Sequence, residues 1–423
     1  MKKFIIAAMM LLGTSAAFAG DSEPLKAILA NKDFAGAQSA LKANLASLTS
    51  NSEKAKAYNY LVDLAMKQYD AQASVELENN TMKQMGQKGD KPVDKPSMYV
   101  GAYNALINAV ECNKYDQMPN EKGKVKPRFE SENSQRIWNA RTQLVNAGQD
   151  ASKEGKDAEV LKYWGTFVDT DNDPLFATVD QKNRDNEKAY FGQVARFAGV
   201  YAYQAKDYAK ADKYADIAMK TESEYKDALT LKLGVAQAQL KNHTDSVAFV
   251  KTVKDLYTKD SKNETLFGTL VNVYSQMNMK TELDALLDAK EKEDPKNFVV
   301  FAVRGQNAMV ASDLDKAIPN FKKALEIQPD NAQILAYLGA CLFDKAQKAE
   351  ERASGNTGRV PQTAKQQIEP VFKEAMSTLE KARQLDPDHS KSNWPYPLYR
   401  VYYRLLGPND AKTVEAQGIA GVN

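Results

Sequence analysis

Three segments of this chain start at Glu264, Phe298 and Ala332, each 34 residues after the one before, and they repeat one pattern of small, bulky and helix-ending residues. A period of this length is that of two helices joined by a turn. Such a hairpin cannot bury its apolar face alone, so units stack and each touches only its neighbours. The repeat therefore restricts the fold to the all-α class, as an α-solenoid (superhelix) of helical hairpins.

The middle unit is the most regular. Its first helix carries Phe301, Gly305 and Ala308, its second Ala317, Phe321 and Ala324, and Pro329 follows. Gly305 and Ala308 are small enough for the two helices to approach closely, while Phe301 and Phe321 fill the space between them. Pro329 ends the second helix, because it lacks a backbone donor and disfavours helical geometry in the residue before it. Arg304 stands where a large apolar residue is expected. The unit at Glu264 repeats the pattern with Phe267, Leu270, Tyr274, Leu283, Leu287 and Pro295. The unit at Ala332 has Leu335, Leu338, Gly339 and Leu342, and its second half returns late, as Ala375, Leu379, Ala382 and Pro387. The intervening insertion, 345–367, reads as a lengthened connection, which costs little stability per added residue.

These spacings resemble the tetratricopeptide repeat (TPR) family. The likeness is specific over 264–329 and continues to Pro387 once the insertion is allowed. It is weaker over 192–257, where Gly199, Ala202, Ala211, Ala215 and Ala218 occupy equivalent slots. The resemblance implies TPR-like hairpins and a protein-binding scaffold with no catalysis of its own. One known mode of the family grips a C-terminal carboxylate with Lys, Asn and Arg residues on inner helices. Here the first Lys slot falls on Gly268, Ala302 or Ala336, and only Asn272 matches an Asn slot. That departure argues against a ligand of the chaperone-tail type.

First helices line the inner wall of such a stack. Its open slots give Arg196, Tyr203, Asn272, Ser275, Gln306, Met309, Gln333 and Phe343 as candidate partner-binding residues. The wall is mostly uncharged and suits an extended peptide or a partner helix held by side-chain amides and shallow pockets. The competing reading is that its small residues, such as Ala302 and Ala336, only let units pack.

At the amino end Lys2 and Lys3 precede an apolar stretch, 4–12, and Ala17-Phe18-Ala19 forms a small-x-small site. This is the layout of a secretory signal peptide, 1–19, cleaved after Ala19. The apolar run is shorter than the roughly 20 residues that span a bilayer. No Cys follows the site to take a lipid. Without Lys2 and Lys3 the chain has 55 basic against 55 acidic residues. That balance gives no reason to expect nucleic acid or an anionic surface as partner. The mature chain has no integral membrane segment by this reading. The expected location is the periplasm, with a protein or peptide of an envelope complex as partner and peripheral association with the outer membrane compatible with it. Cys112 and Cys341 are far apart, have apolar neighbours and read as buried thiols rather than a bridge.

Between the leader and the regular repeats, 20–185 reads as irregular helical repeats. A short hairpin is expected at 24–48, and a helix at 53–69 with the polar 71–85 as its partner. Another helix is expected at 98–115. The segment 117–129, basic at Lys122, Lys124, Lys126 and Arg128, reads as a loop or extended arm. A hairpin of 132–147 and 157–168 has Trp138, Leu144, Leu161, Trp164 and Phe167 as its core. TPR-like repeats follow over 186–407, closed by a helix near Pro397 that covers the last apolar face, and 408–423 reads as a loose tail.

Signals for chemistry are poor. The two histidines, His243 and His389, fall in different units, so with two remote cysteines they cannot give metal-ligand spacing. No glycine-rich phosphate loop and no activated serine motif is present. Asp169, Asp171 and Asp173 alternate like calcium ligands, but Pro174 and Asp180 stand where an EF-hand needs Gly and Glu. The run reads instead as a solvated turn. No metal, cofactor or catalytic residue is assigned. The alternative function is a carbohydrate-processing hydrolase on a helical scaffold. It requires two carboxylates about 5 to 9 Å apart, placed within 99–176, with Trp138 and Trp164 facing a sugar rather than the core.

Overall fold

The structure, a computed structural model, describes residues 20–120, 123–241, 243–355 and 358–422; the leader expected at 1–19 lies outside them. Among the described residues there is no strand, and helices paired into hairpins make an α-solenoid of TPR-like units. The chain divides into two compact units, Met1–Ser246 and Val247–Asn423.

The first unit contains α1 (Glu23–Leu29), α2 (Phe34–Asn44), α3 (Asn51–Gln84), α4 (Lys95–Asp116), α5 (Glu130–Arg141), α6 (Gln143–Lys153), α7 (Asp157–Asp169), α8 (Gln181–Gln204), α9 (Tyr208–Ala218) and α10 (Tyr225–Ala238). The expected helix at 71–85 is not a separate partner for 53–69: it is the second half of α3, which runs unbroken for 34 residues. Its partner is α4. Gly101 permits that approach, because a Cβ there would lie 2.8 Å from the Tyr69 backbone nitrogen and 3.0 Å from the Ala65 carbonyl. The polar end of α3 is tied down by Asn79, whose amide accepts from Lys91 N–H at 2.9 Å and donates to the Lys91 carbonyl at 2.7 Å. The helix expected at 132–147 breaks at Thr142. α5 packs on α4, and α6 pairs with α7. The described part of 117–129 folds back rather than extending: Asp116 accepts from the backbone of Arg128 and Phe129, and Asn51 donates to the Pro119 carbonyl.

Arg141 is 0% exposed in the middle of this unit. Its guanidinium donates to both oxygens of Glu187, each at 2.6 Å, to the Phe167 carbonyl at 2.6 Å and to Thr170 at 3.1 Å. It also lies over the rings of Phe167 and Trp138, at 4.1 and 4.9 Å. One side chain thus joins α5, α7 and α8. A charge is tolerated there because nearly every donor is matched.

The second unit is entered within α11 (His243–Lys259). It continues through α12 (Glu264–Gln276), α13 (Lys280–Glu293), α14 (Phe298–Val310), α15 (Leu314–Ile327), α16 (Ala332–Ser354), α17 (Gln362–Leu385), α18 (Pro395–Leu406) and α19 (Ala411–Ala420). The repeat is written in the caps as well as the core. Asn263, Asn297 and Asn331 stand 34 residues apart, and each side-chain oxygen accepts from a first-turn N–H of the helix it opens. Capping of this kind satisfies a donor that the helix leaves unpaired. The turns inside two hairpins match too, with φ of 54° at Asn278 and 58° at Ser312. Gly305 faces Phe321, and a Cβ there would come within 2.6 Å of that ring. Arg304 fits a slot meant for an apolar residue by reaching back to Asp288 and Glu291 of α13. Lys290 likewise lies buried in a slot where the other units have Ala, its ammonium 2.8 Å from Glu264.

Two expectations change here. The insertion at 345–367 is mostly helix rather than loop: α16 runs on to Ser354 and α17 begins at Gln362, and the two lengthened helices pack together. The 408–423 segment is not a loose tail, since α19 pairs with α18 and buries Thr413 and Ala416.

Candidate functional site

Two of the eight candidate residues lie in the first unit. Arg196 does not present a free guanidinium, because its Nε donates to Glu224 at 2.6 Å and it covers the Phe197 ring. Tyr203 is exposed beside Tyr208, ring centroids 5.8 Å apart. The other six belong to the second unit. Asn272 and Ser275 are exposed on α12, the Ser275 hydroxyl donating to the Val271 carbonyl. Gln306 and Met309 on α14 and Gln333 on α16 are half-buried, and Met309 packs against the core. Phe343 is the correction: expected as an open slot, it is 5% exposed. Arg400 of α18 lies 4.3 Å above its ring, and Phe372 of α17 meets it edge-on at 5.4 Å. Ala302 and Ala336, in the same expected row, are buried as well. No hydrogen bond or ring contact joins any two of the eight among the described residues.

The feature that spacing alone does not give is a groove beside Phe343. It holds about 370 Å³ and is lined by Phe343, Gln347, Glu350 and Glu351 of α16, Phe372 of α17, and Tyr399, Arg400, Tyr403 and Arg404 of α18. Phe343 and Phe372 form its apolar floor. Tyr396, Tyr399 and Tyr403 run along one side of α18, with successive ring centroids 6.5 and 5.9 Å apart. Tyr396 and Tyr403 are 50% and 51% exposed. The spacing of three and four residues puts these rings on one helical face. Arg400 donates to Asp344 at 2.9 Å and to the Gln347 side-chain oxygen at 2.7 Å. Gln347 in turn donates to Glu351 at 2.9 Å. Arg404 takes both oxygens of Glu350 and lies 5.1 Å above the Phe372 ring. The lengthened α16 makes this possible, since Gln347, Glu350 and Glu351 all belong to the insertion. The sequence signal was present as the tyrosines at 396, 399 and 403 opposite a charged insertion. It becomes a site only once that insertion is known to be helical.

The region that the hydrolase alternative requires to hold a sugar looks different. Trp138 and Trp164 are both buried, Trp138 against Phe176 and Trp164 with its indole N–H on the Val145 carbonyl. Glu187, whose carboxyl burial pushes up while Arg141 pulls it back, is enclosed. The acidic turn is occupied by the protein itself. Asp169 accepts from Lys213 and Tyr214, Asp173 caps the turn that follows it, and Asp171 lies 3.9 Å from Arg141. Among the described residues no cluster of metal-ligating side chains is present. Both cysteines are free and buried, and burial raises the Cys341 thiol to about 12. No described helix is long and apolar enough to cross a membrane.

No protein-family model matches the chain, and no curated protein matches it in sequence. Among solved structures, a TPR-repeat protein from Bacteroides fragilis is similar at 19% identity, with 63% of this chain and 99% of that one covered and a TM-score of 0.31. Yeast Tom70 is similar at 13% identity, with 92% and 91% covered and a TM-score of 0.29. The paired helices and capped repeats of the chain itself are those of TPR-like helical hairpins.

Proposed function

We propose that this chain is a non-catalytic scaffold of the bacterial cell envelope that holds a protein or peptide segment. The groove beside α18 carries the reading. A row of half-exposed tyrosines over a phenylalanine floor is costly to leave in water, and aromatic residues of this kind are enriched where proteins bind one another. The open Asn272 and Ser275 on α12, with Gln306, Met309 and Gln333, extend the candidate surface along the first helices. The leader at 1–19 supports export, and the periplasm is the compartment proposed.

A benzophenone side chain placed at Tyr403, at Asn272, and at Lys373 on α17 as a control tests this reading. Irradiated in native envelope, the first two positions are expected to give protein adducts that the control lacks. Equal labelling at all three, or none at Tyr403 and Asn272, overturns the assignment. Intact mass of the exported protein beginning at Gly20 tests the leader.

A further inference from the structure

Resting on the reading that the chain holds a protein segment, we propose that the groove between α16 and α18 selects segments carrying a Lys or Arg beside an aromatic or large aliphatic residue. The apolar half of that preference follows from the floor. Phe343 and Phe372 lie at its base, Tyr399 and Tyr403 form its wall, and about 370 Å³ accommodates a large side chain and the stem of a cation, not a folded domain.

The charged half follows from an account of the ions. Both cations of the groove are already engaged by its own wall. Arg400 is held by Asp344 and Gln347, and Arg404 is matched to both oxygens of Glu350, a fork geometry that leaves little capacity for a second anion. Glu351 is different. It is exposed, it lines the groove, and its hydrogen bond comes from the neutral amide of Gln347. Among the described residues Glu351 appears in no ion pair, whereas Glu350 and Asp344 are each held by an arginine. The groove therefore presents one unmatched carboxylate beside open tyrosine rings. A ligand cation there meets the carboxylate and the negative faces of the rings together. An acidic segment would set a second carboxylate against Glu351 with both arginines engaged.

Random heptapeptides displayed on phage are panned on the full exported protein. The enriched sequence is then made as a labelled peptide, with a second version in which its basic residue is Glu. Enriched heptapeptides are expected to place Lys or Arg next to Trp, Tyr, Phe or Leu. Anisotropy titrations are expected to show binding weakened about tenfold or more by Glu351→Lys and by Tyr403→Ser. Glu351→Lys should in turn favour the Glu-containing version. Both substitutions are on exposed side chains, and circular dichroism of each variant should match the parent. Enriched peptides that are acidic, or whose binding is unchanged by Glu351→Lys, overturn this preference and leave the scaffold reading standing. Failure to enrich any heptapeptide counts against both.

Discussion

Replacing Arg141 by Met is expected to destabilise the first unit by about 3–5 kcal/mol, the cost of stranding one partner of a buried ion pair. The structure places the change at the upper end. Met keeps much of the apolar stem but removes two 2.6 Å bonds to Glu187, one to the Phe167 carbonyl and one to Thr170. It also removes the stacking over Trp138 and Phe167. What remains is a carboxylate that is 3% exposed and has lost its hydrogen-bonded cation, with only the weaker influence of Arg184 left to offset burial. Removing both charges, as Arg141→Met with Glu187→Leu, leaves no stranded ion and should recover most of the loss. Urea unfolding followed by tryptophan fluorescence suits the measurement. Two of the three tryptophans, Trp138 and Trp164, lie in this unit. With a slope of about 3 kcal/mol per molar urea, the midpoint of that transition falls by about 1 M or more. The deficit should also depend on pH. Burial already raises the Glu187 carboxyl, and Arg141 opposes that rise. Without Arg141 the native carboxyl holds its proton more tightly still. A raised native value gives stability that is present at low pH and lost as pH rises through it, so the deficit is smallest near pH 4 and grows toward neutrality. A loss below about 1 kcal/mol at neutral pH, or a double variant as weak as the single one, would refute the reasoning.

Other outcomes follow from single contacts. Gly89→Ala would put a Cβ 2.0 Å from the Asn79 carbonyl, a clash with backbone, and should break the Asn79–Lys91 tie, read as faster amide exchange at Lys91. Gly305→Ala meets the Phe321 ring at 2.6 Å; because a ring can shift, a loss of about 1–3 kcal/mol is expected by calorimetry. Asp386 is held below the usual carboxylate value, chiefly by the Ser392 hydroxyl and then by the Lys391 N–H. Its contribution is present above the unfolded value and lost as pH falls through the folded one, so Asp386→Asn should flatten the acid limb of the stability profile below about pH 4. Neither Cys112 nor Cys341 should react with a thiol reagent in the native protein, whereas both should react in denaturant.

The helix starts at Glu264, Phe298 and Ala332 were legible in the sequence because three codes agree there. Apolar spacing and the preceding Asn caps carry the same period, and Pro295 and Pro329 repeat it. The continuity of α3 was not. Its second half is polar, and periodicity cannot tell a polar helix tied at one loop from a separate, weakly packed one. The insertion reads as a loop for a related reason. Gly355 and Gly358, with Pro361, mark a turn, but the charged residues before them continue α16 because its lengthened face has α17 and α18 to pack on. The groove was therefore invisible at the level of spacing. Phe343 could be named from its slot, whereas Arg400, Tyr399 and Tyr403 come from a helix more than 50 residues later.

That α16 is lengthened as helix, not as loop, sets how this groove can diverge between related chains. In a helix, residue number is also rotational phase, at 100° per residue. One residue gained after Asp344 would swing Gln347, Glu350 and Glu351 about 100° around the axis, away from α18, while leaving the core residues before it in place. Seven residues gained would nearly restore the phase, but carry the same three side chains about 10 Å along the axis, past the tyrosines. Length changes beyond Ser354 rotate none of them. Relatives of this chain should therefore vary freely in length after Ser354 and change the groove's chemistry by substitution, with the count from Phe343 to Glu351 held fixed.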